Sequence, residues 1–250
     1  MNGIAADEIY GVLQPFFNKL EARDALSEEE KRALVAAARQ ELTFGAGDDL
    51  AREGDRPHRS MLLVAGFAIR YRIVAQGERQ IVAIHVPGDF IDLQSFLLKE
   101  MDHSLAALTH ARVYTYPHEN LAGLTENYPH LTRLLWLHTL LDAAIQREWI
   151  VGLGRLSAAS RTAHLVCEIF VRLQTNGLAA GSKISLPMTQ ATLADALGLS
   201  TVHVNRVIQE LRQRNLVSWE GTQIEVLDWD GLRRTGEFDD RYLHLVREPR

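Results

Sequence analysis

The stretch MTQATLADALGLSTVHVNRVIQELRQRNLVSW, residues 188–219, is typical of two helices joined by a tight turn. Gly198 stands between the two halves, at the position where a left-handed residue closes a helix. Ser200 follows as an N-cap that can accept a backbone hydrogen bond and start the second helix. Apolar residues recur at helical spacing in this second half. They form a predicted buried stripe of Val204, Ile208 and Leu211.

Beyond the second helix, alternating residues on either side of an acidic–glycine turn predict a short β-hairpin. Its strands are predicted at 216–219 and 223–226, with the pair Glu220-Gly221 in the turn. A hairpin in this place is a wing, and the whole arrangement can lay its second helix into the major groove of DNA. The sequence therefore predicts a winged DNA-binding domain. The alternative is an ordinary helical hairpin in a protein core.

The first turns of the second helix carry the candidate DNA contacts, because recognition helices touch base edges with their N-terminal half. Arg206 is the candidate for a bidentate contact to guanine or a phosphate clamp. Asn205 can pair with adenine, and Val202 or Thr201 can meet a thymine methyl group. Phosphate contacts are predicted for three further residues, which are Thr189, Ser200 and His203.

The net charge of −5 by itself disfavours a nucleic-acid partner, but the charge is unevenly distributed. Residues 157–217 contain six arginines or lysines and three acids, a net charge of +3, so the remaining residues carry −8. An acidic chain with one locally basic domain suits a protein that must not bind DNA indiscriminately.

Composition disfavours several other classes of protein. Cys167 is the only cysteine, which excludes a disulfide within the chain and cysteine-ligated iron–sulfur or zinc sites. Its apolar neighbours predict a small core residue. No His-x-His pair and no nucleophile in a recognisable turn is found, so we expect no enzyme activity, no metal site and no cofactor. Without a signal-peptide pattern or an apolar run near ~20 residues, we expect a cytoplasmic protein that does not contact a membrane.

The pattern changes twice before the DNA-binding region. Residues 1–40 are predicted to be helical, whereas the following segment consists of short strands divided by glycine and acidic turns, which is typical of a barrel or roll. A long helix is predicted over 131–154, where apolar positions alternate in steps of three and four, the spacing of a two-helix seam. The predicted dimer contacts on it are Leu134, Leu141 and Ile145. Packing of this helix against its own roll alone is the alternative.

On these residues the chain resembles the Crp/Fnr-type bacterial transcription regulators. Residues 188–226 resemble that family's winged helix, 43–116 its effector-binding β-roll and 131–154 its dimerisation helix. The resemblance implies an α+β fold with an N-terminal cyclic-nucleotide-binding-like β-roll, a long dimerisation helix and a C-terminal winged helix-turn-helix. Recognition helices of the family carry an arginine at the position of Arg206. They often carry an arginine and a glutamate where this chain has Thr201 and Val202, so the family's usual half-site is not implied.

The effector pocket departs from the cyclic-AMP-binding members of the resembled family. In those members an Arg-Ser pair holds the phosphate and a glutamate holds the ribose. Here His103 and Ser104 stand at the pair, and Asp92 is a shorter acid near the ribose position. Burying a phosphate without a fixed cation is costly, so we expect an effector other than cyclic AMP. Gln146 and Arg147, which face the pocket in the resembled family, are either ligand contacts or surface and dimer residues.

We therefore predict a sequence-specific transcription regulator that binds a palindromic operator in double-stranded DNA as a homodimer. Its further partners are an unknown small-molecule effector and, if it activates transcription, RNA polymerase. The rival hypothesis is a ligand-binding or protein-interaction module that does not bind DNA. The predicted domains are an N-terminal helical segment (1–40), the β-roll (41–130), the dimerisation helix (131–154), the winged helix-turn-helix (155–230) and a C-terminal tail (231–250).

Overall fold

A computed structural model describes residues 3–179 and 181–250; of the helix predicted over residues 1–40, residues 1 and 2 lie outside this range. The chain divides into two compact units. The first, here named the roll unit, comprises the described residues up to Arg70 together with Ile84–Asp142 and His244–Arg250. The second, here named the helix-turn-helix unit, comprises Tyr71–Ala83 and Ala143–Leu243.

Three helices precede the strands: α1 (Gly3–Val12), α2 (Gln14–Glu21) and α3 (Glu28–Ala37). Helix α3 begins with a reciprocal cap. The Ser27 hydroxyl accepts from the Glu30 backbone N–H at 3.2 Å, and the Glu30 carboxylate accepts from the Ser27 backbone N–H at 2.9 Å. This exchange satisfies two N–H groups that a helix start otherwise leaves without partners.

Seven short strands form two antiparallel sheets, with the strand orders β1-β7-β3 and β2-β6-β4-β5. The strands are β1 (Gln40–Phe44), β2 (Asp49–Ala51), β3 (Arg59–Ala65), β4 (Ala68–Ile73), β5 (Arg79–His85), β6 (Ser104–Ala107) and β7 (Ala111–Pro117). Gly66 links β3 to β4 at φ +80°, and a Cβ there would lie 2.2 Å from the His110 carbonyl oxygen. Only glycine fits that approach. The helices α4 (Ser95–Leu98) and α5 (His118–Asn127) complete this region.

The long helix α6 (Pro129–Arg155) contains the predicted 131–154 segment. Leu134 is 0% exposed, Leu141 4% and Ile145 9%. A side chain that its own chain already covers has no area left to bury against a partner, so these three residues are reassigned from the dimer seam to the core. Steps of three and four identify a stripe that becomes buried, but the spacing does not say what covers it.

Among the described residues, the helix-turn-helix unit contains the turn between β4 and β5, the C-terminal part of α6, and a three-stranded sheet of order β8-β10-β9 with four further helices. The elements after α6 are α7 (Ala158–Thr175), β8 (Lys183–Ser185), α8 (Gln190–Leu197), α9 (Thr201–Gln213), β9 (Val217–Glu220), β10 (Gln223–Val226), α10 (Trp229–Gly236) and a 3₁₀ turn (Asp240–Leu243). Cys167 is fully buried in α7, which agrees with the predicted core position. This burial raises the pKa of its thiol to about 12. The strand β8, which pairs with β10, was not predicted.

Helix α10 packs on α7 so closely that a Cβ at Gly236 would lie 2.6 Å from the His164 backbone nitrogen. The His164 Nδ1 also lies 3.1 Å from the Gly236 carbonyl oxygen, and the His164 ring packs against Phe238. In the described part of the chain, no helix has the length and apolar character needed to cross a membrane.

Candidate nucleic-acid interface

Helices α8 and α9 each begin with a hydroxyl cap. The Thr189 hydroxyl accepts from the Thr192 backbone N–H at 3.1 Å, and the Ser200 hydroxyl accepts from that of His203 at 3.3 Å. Between them Gly198 adopts the left-handed conformation at φ +61° and closes α8. The predicted helix, turn and helix are therefore confirmed, together with the roles of Gly198 and Ser200 in ending one helix and starting the next.

Helix α9 has one buried face and one exposed face. The predicted stripe is confirmed, and Val207 joins it. The opposite face exposes every residue that the sequence offered as a contact from this helix, namely Thr201, Val202, His203, Asn205 and Arg206. Val202 is 70% exposed, which is unusual for an aliphatic side chain and leaves its methyl groups available to a partner.

The arginines on and next to α9 differ in whether their guanidinium groups are already paired within the chain. Arg206 is exposed and makes no ion pair or side-chain hydrogen bond within residues 3–179 and 181–250. Arg214 is instead held by Glu210 at 3.4 Å and by the Thr235 hydroxyl at 2.7 Å. A guanidinium without a partner in its own chain can form a bidentate contact with a base edge or a phosphate without breaking an existing pair.

The wing is the hairpin of β9 and β10. Glu220 pairs with Gln223, so the two-residue turn is Gly221-Thr222, one residue later than the predicted turn. Gly221 has φ +57°, which a turn residue of this kind requires. The third strand β8 pairs with β10 of the wing and extends it to three strands.

The candidate effector residue Asp92 is fully buried and contacts its own chain. Its Oδ1 accepts a hydrogen bond from the Met61 backbone N–H at 2.6 Å. This burial raises the pKa of the carboxyl to about 7. Asp92 Oδ1 supports the strand β3, whereas Oδ2 has no hydrogen-bond partner in the described chain, so a ligand contact for Asp92 stays a prediction.

His103, which stands where a cyclic-AMP site needs arginine, is buried and paired. Its Nδ1 lies 2.5 Å from the Asp102 carboxylate, and its Nε2 lies 3.3 Å from the Gln94 amide nitrogen. Because the amide nitrogen can only donate, the proton belongs on Nδ1. Burial and the nearby Arg70 charge lower the pKa of His103 to about 4, so the ring is neutral at pH 7. The hydroxyl of Ser104 accepts from the Glu53 backbone N–H at 3.1 Å.

Arg70, which was not among the predicted site residues, is a cation buried in the roll unit with 4% exposure. Its guanidinium lies 2.6 Å from the Asp142 carboxylate on α6 and donates to the Ile91 carbonyl oxygen at 3.1 Å. Burial raises the pKa of Asp142, but Arg70 outweighs that effect and lowers it to about 2. The signal in the sequence was an arginine inside the apolar run 67–71.

The remaining candidates, Gln146 and Arg147, lie on the part of α6 that belongs to the helix-turn-helix unit. Gln146 is half-buried and Arg147 is exposed. Within residues 3–179 and 181–250, no group of three or more His, Cys, Asp or Glu side chains is placed to hold a metal ion.

Comparisons with known domain families match two separate parts of the chain. Residues 41–128 match the cyclic nucleotide-binding domain, and residues 160–235 match the Crp-like helix-turn-helix domain. The second match spans both α8 and α9 together with the wing.

Relatives of known name align with this chain over most of their length. The transcriptional activator protein anr of Pseudomonas aeruginosa is 27% identical over 205 residues, which are 82% of this chain and 83% of that protein. The nitrogen fixation regulation protein FixK of Rhizobium meliloti is 24% identical over 204 residues, 80% of this chain and 89% of that protein. The fold is that of the FixK2 structure from Bradyrhizobium japonicum, with a TM-score of 0.72 and 23% identity over 78% of this chain and 96% of that one. With both domains matched in this order, the chain belongs to the Crp/Fnr-type transcription regulators that carry a helix-turn-helix DNA-binding domain.

Proposed function

We propose that this regulator reads DNA through the exposed face of α9, with Arg206, Asn205 and Val202 on base edges and the capped helix starts near phosphates. One observation supports this proposal most directly. The polar side chains in the N-terminal half of α9 are exposed, and Arg206 has no partner in the described chain. A recognition helix needs side chains that are not already engaged.

Dimerisation is proposed through the exposed face of α6, defined here by Trp136, Leu140, Arg147 and Ile150. Trp136 is 65% exposed, Leu140 51% and Ile150 69%. Trp136 and Leu140 are four residues apart, Arg147 follows one heptad after Leu140, and Ile150 follows three residues later. This spacing is that of a two-helix seam, on the side of α6 opposite its buried stripe. A second copy of the same helix covers such a self-complementary apolar stripe in a two-fold arrangement.

Sedimentation velocity tests the dimer. Wild-type protein is expected to be dimeric at micromolar concentration, whereas Leu140→Lys and Ile150→Lys place charges in the seam and shift it towards monomer. Gln209→Lys, which adds the same charge at an exposed position on α9, is the control. A monomeric wild type under all conditions would contradict the proposal.

A two-fold dimer with one recognition helix per chain implies an inverted-repeat operator. Half-sites are expected about one helical turn apart, roughly 34 Å. Selection from a pool of random duplexes with purified protein tests this: an enriched inverted repeat supports it, and no enrichment contradicts it. Relatives such as anr of Pseudomonas aeruginosa and FnrA of Stutzerimonas stutzeri are named as activators. We therefore propose that the chain activates transcription, which requires contact with RNA polymerase.

For control of the protein we propose an effector other than cyclic AMP. The residue at the phosphate position, His103, is neutral at pH 7, and the buried Arg70 is engaged by Asp142. Neither group offers an uncompensated cation to a phosphate. Titration calorimetry with cyclic AMP at pH 7 is expected to give no binding at micromolar concentration, and a tight complex that raises operator affinity would contradict this reading.

A further inference from the structure

The segment Tyr71–Ala83 belongs to the helix-turn-helix unit and contains the turn between β4 and β5. From this hairpin, Arg79 reaches the first helix of the DNA-binding pair. Its Nε and Nη2 lie 2.9 and 2.8 Å from the same carboxylate oxygen of Asp195 on α8. The Arg79 guanidinium also lies 5.8 Å from the centre of the Tyr71 ring, a cation–π contact that adds a second restraint.

The neighbouring residue Gln80 adds a second contact at the C-terminal end of α8. Its amide nitrogen donates to the Asp195 carbonyl oxygen at 2.8 Å and lies 3.5 Å from that of Ala196. The local cap at Gly198 supplies donors only to Ala194, whose carbonyl oxygen accepts from the N–H groups of Gly198 and Leu199. The hairpin therefore completes a C-cap that the helix-turn-helix segment does not complete alone.

The ion pair of Arg79 and Asp195 affects the charge that α8 presents to DNA. Asp195 is the only acid between Met188 and Gln209, the segment that holds the predicted DNA contacts. An unneutralised carboxylate in this segment repels the phosphate backbone and lowers affinity. Arg79 cancels that charge, and Gln80 fixes the end of the helix that leads into the turn before α9.

We propose that Arg79 and Gln80 are positioning residues for DNA recognition, which act through Asp195 and α8 and not by touching DNA. This inference rests on the proposed function, and it goes beyond that function because it assigns a role in DNA binding to a hairpin outside the helix-turn-helix motif. The hairpin holds the first helix of the pair in place and neutralises its single acid.

Fluorescence anisotropy with the duplex selected by the wild type tests the proposal. Arg79→Ala is expected to weaken binding about fivefold and Gln80→Ala about threefold, whereas Arg79→Lys keeps most of the affinity. In an Asp195→Asn background, Arg79→Ala is expected to change affinity less than about twofold, because its partner charge is gone. Arg56→Ala removes the same charge from an exposed pair with Glu100 in the roll unit and is the matched control.

The outcomes separate the two proposals. A wild type that selects no duplex overturns the proposed function. A wild type that binds while Arg79→Ala binds equally well or more tightly overturns the positioning role. An undiminished effect of Arg79→Ala in the Asp195→Asn background, with a salt slope reduced by about one, indicates direct phosphate contact and also overturns it. If Arg79→Ala fails to fold by circular dichroism, the Arg79→Lys and Gln80→Ala comparison decides the result.

Discussion

Helix α9, the proposed recognition helix, exposes its polar side chains, whereas the interior of the roll unit buries them. On α9 the polar residues of the first turns are exposed, and Arg206 has no partner in the described chain. In the roll, Arg70, His103 and Asp92 are buried and each forms a hydrogen bond within its own chain, although Arg70 Nε and Asp92 Oδ2 have no partner in the described chain. A surface that binds a macromolecule keeps its donors unengaged, whereas an interior that forms such bonds internally gives a ligand less to bind.

Exposed charges on α9 and buried charges in the roll also differ in how much they contribute to folding stability. Exposed pairs and unpaired surface charges contribute little to folding, so α9 is free to be selected for recognition. The buried pair of Arg70 and Asp142 is part of the fold, because loss of one partner leaves the other charge partly buried without compensation. The contrast predicts stability effects in the roll and binding effects on α9.

The largest effect is expected from Arg70→Ala, which removes the counter-ion of Asp142 and leaves a cavity in the roll. We expect a loss of about 3 kcal/mol in the free energy of unfolding, measured by urea denaturation. The control is Arg56→Ala, whose pair with Glu100 is exposed and should cost less than about 1 kcal/mol. Equal losses in the free energy of unfolding for the two variants would contradict the proposed difference between buried and exposed ion pairs.

The next effect is a pH dependence centred on His103. Its folded pKa of about 4 lies below the unfolded value of about 6.5, so the unfolded state binds a proton first as the pH falls. The stabilisation is complete above pH 6.5 and is lost progressively towards pH 4. The free energy of unfolding that is lost between pH 7 and pH 5 is about 2 kcal/mol.

Replacement of this histidine isolates its share of the pH dependence. His103→Gln should make the stability profile less steep between pH 7 and pH 5, although the buried His138, whose pKa is lowered to about 3, keeps its own contribution. The exposed control His110→Gln should leave the profile unchanged. Urea denaturation at each pH measures both. An unaltered slope in His103→Gln would show that the ring does not remain neutral in the fold.

On the recognition helix, Arg206→Ala is expected to leave folding stability nearly unchanged and to weaken operator binding about tenfold, close to 1.4 kcal/mol. The loss should be larger for the selected operator than for random duplexes, because a base contact carries sequence information. Gln209→Ala, exposed on the same helix, is the control. Wild-type affinity in Arg206→Ala would contradict the assignment of α9 as the reading element.

The smallest effect is expected at the N-cap of α9. Ser200→Ala removes the hydroxyl that accepts from the His203 backbone N–H and should destabilise the protein by about 1 kcal/mol. Ser200→Asn, which restores a capping oxygen, should recover most of this loss in thermal denaturation. Equal melting of the alanine and wild-type proteins would mean that the cap does not stabilise α9.

The sequence by itself determined the helix-turn-helix and the wing. Their signals are local: Gly198 and Ser200 lie two residues apart, the stripe of α9 repeats within one helix, and the two wing strands are joined by a two-residue turn. Interactions between near neighbours depend on residue type and spacing alone, so a single sequence is sufficient to read them. The reading of the exposed face of α9 as a contact surface follows from the same periodicity.

Only the tertiary structure decided which groups far apart in the chain become partners. Arg70 meets Asp142 across 72 positions and Arg79 meets Asp195 across 116, and neither pairing has a signal in local spacing. For the same reason β8 was missed, and the stripe of Leu134 and Leu141 was given to a second chain instead of its own core. Periodicity shows that a face becomes buried, but what covers it depends on how the whole chain folds back on itself.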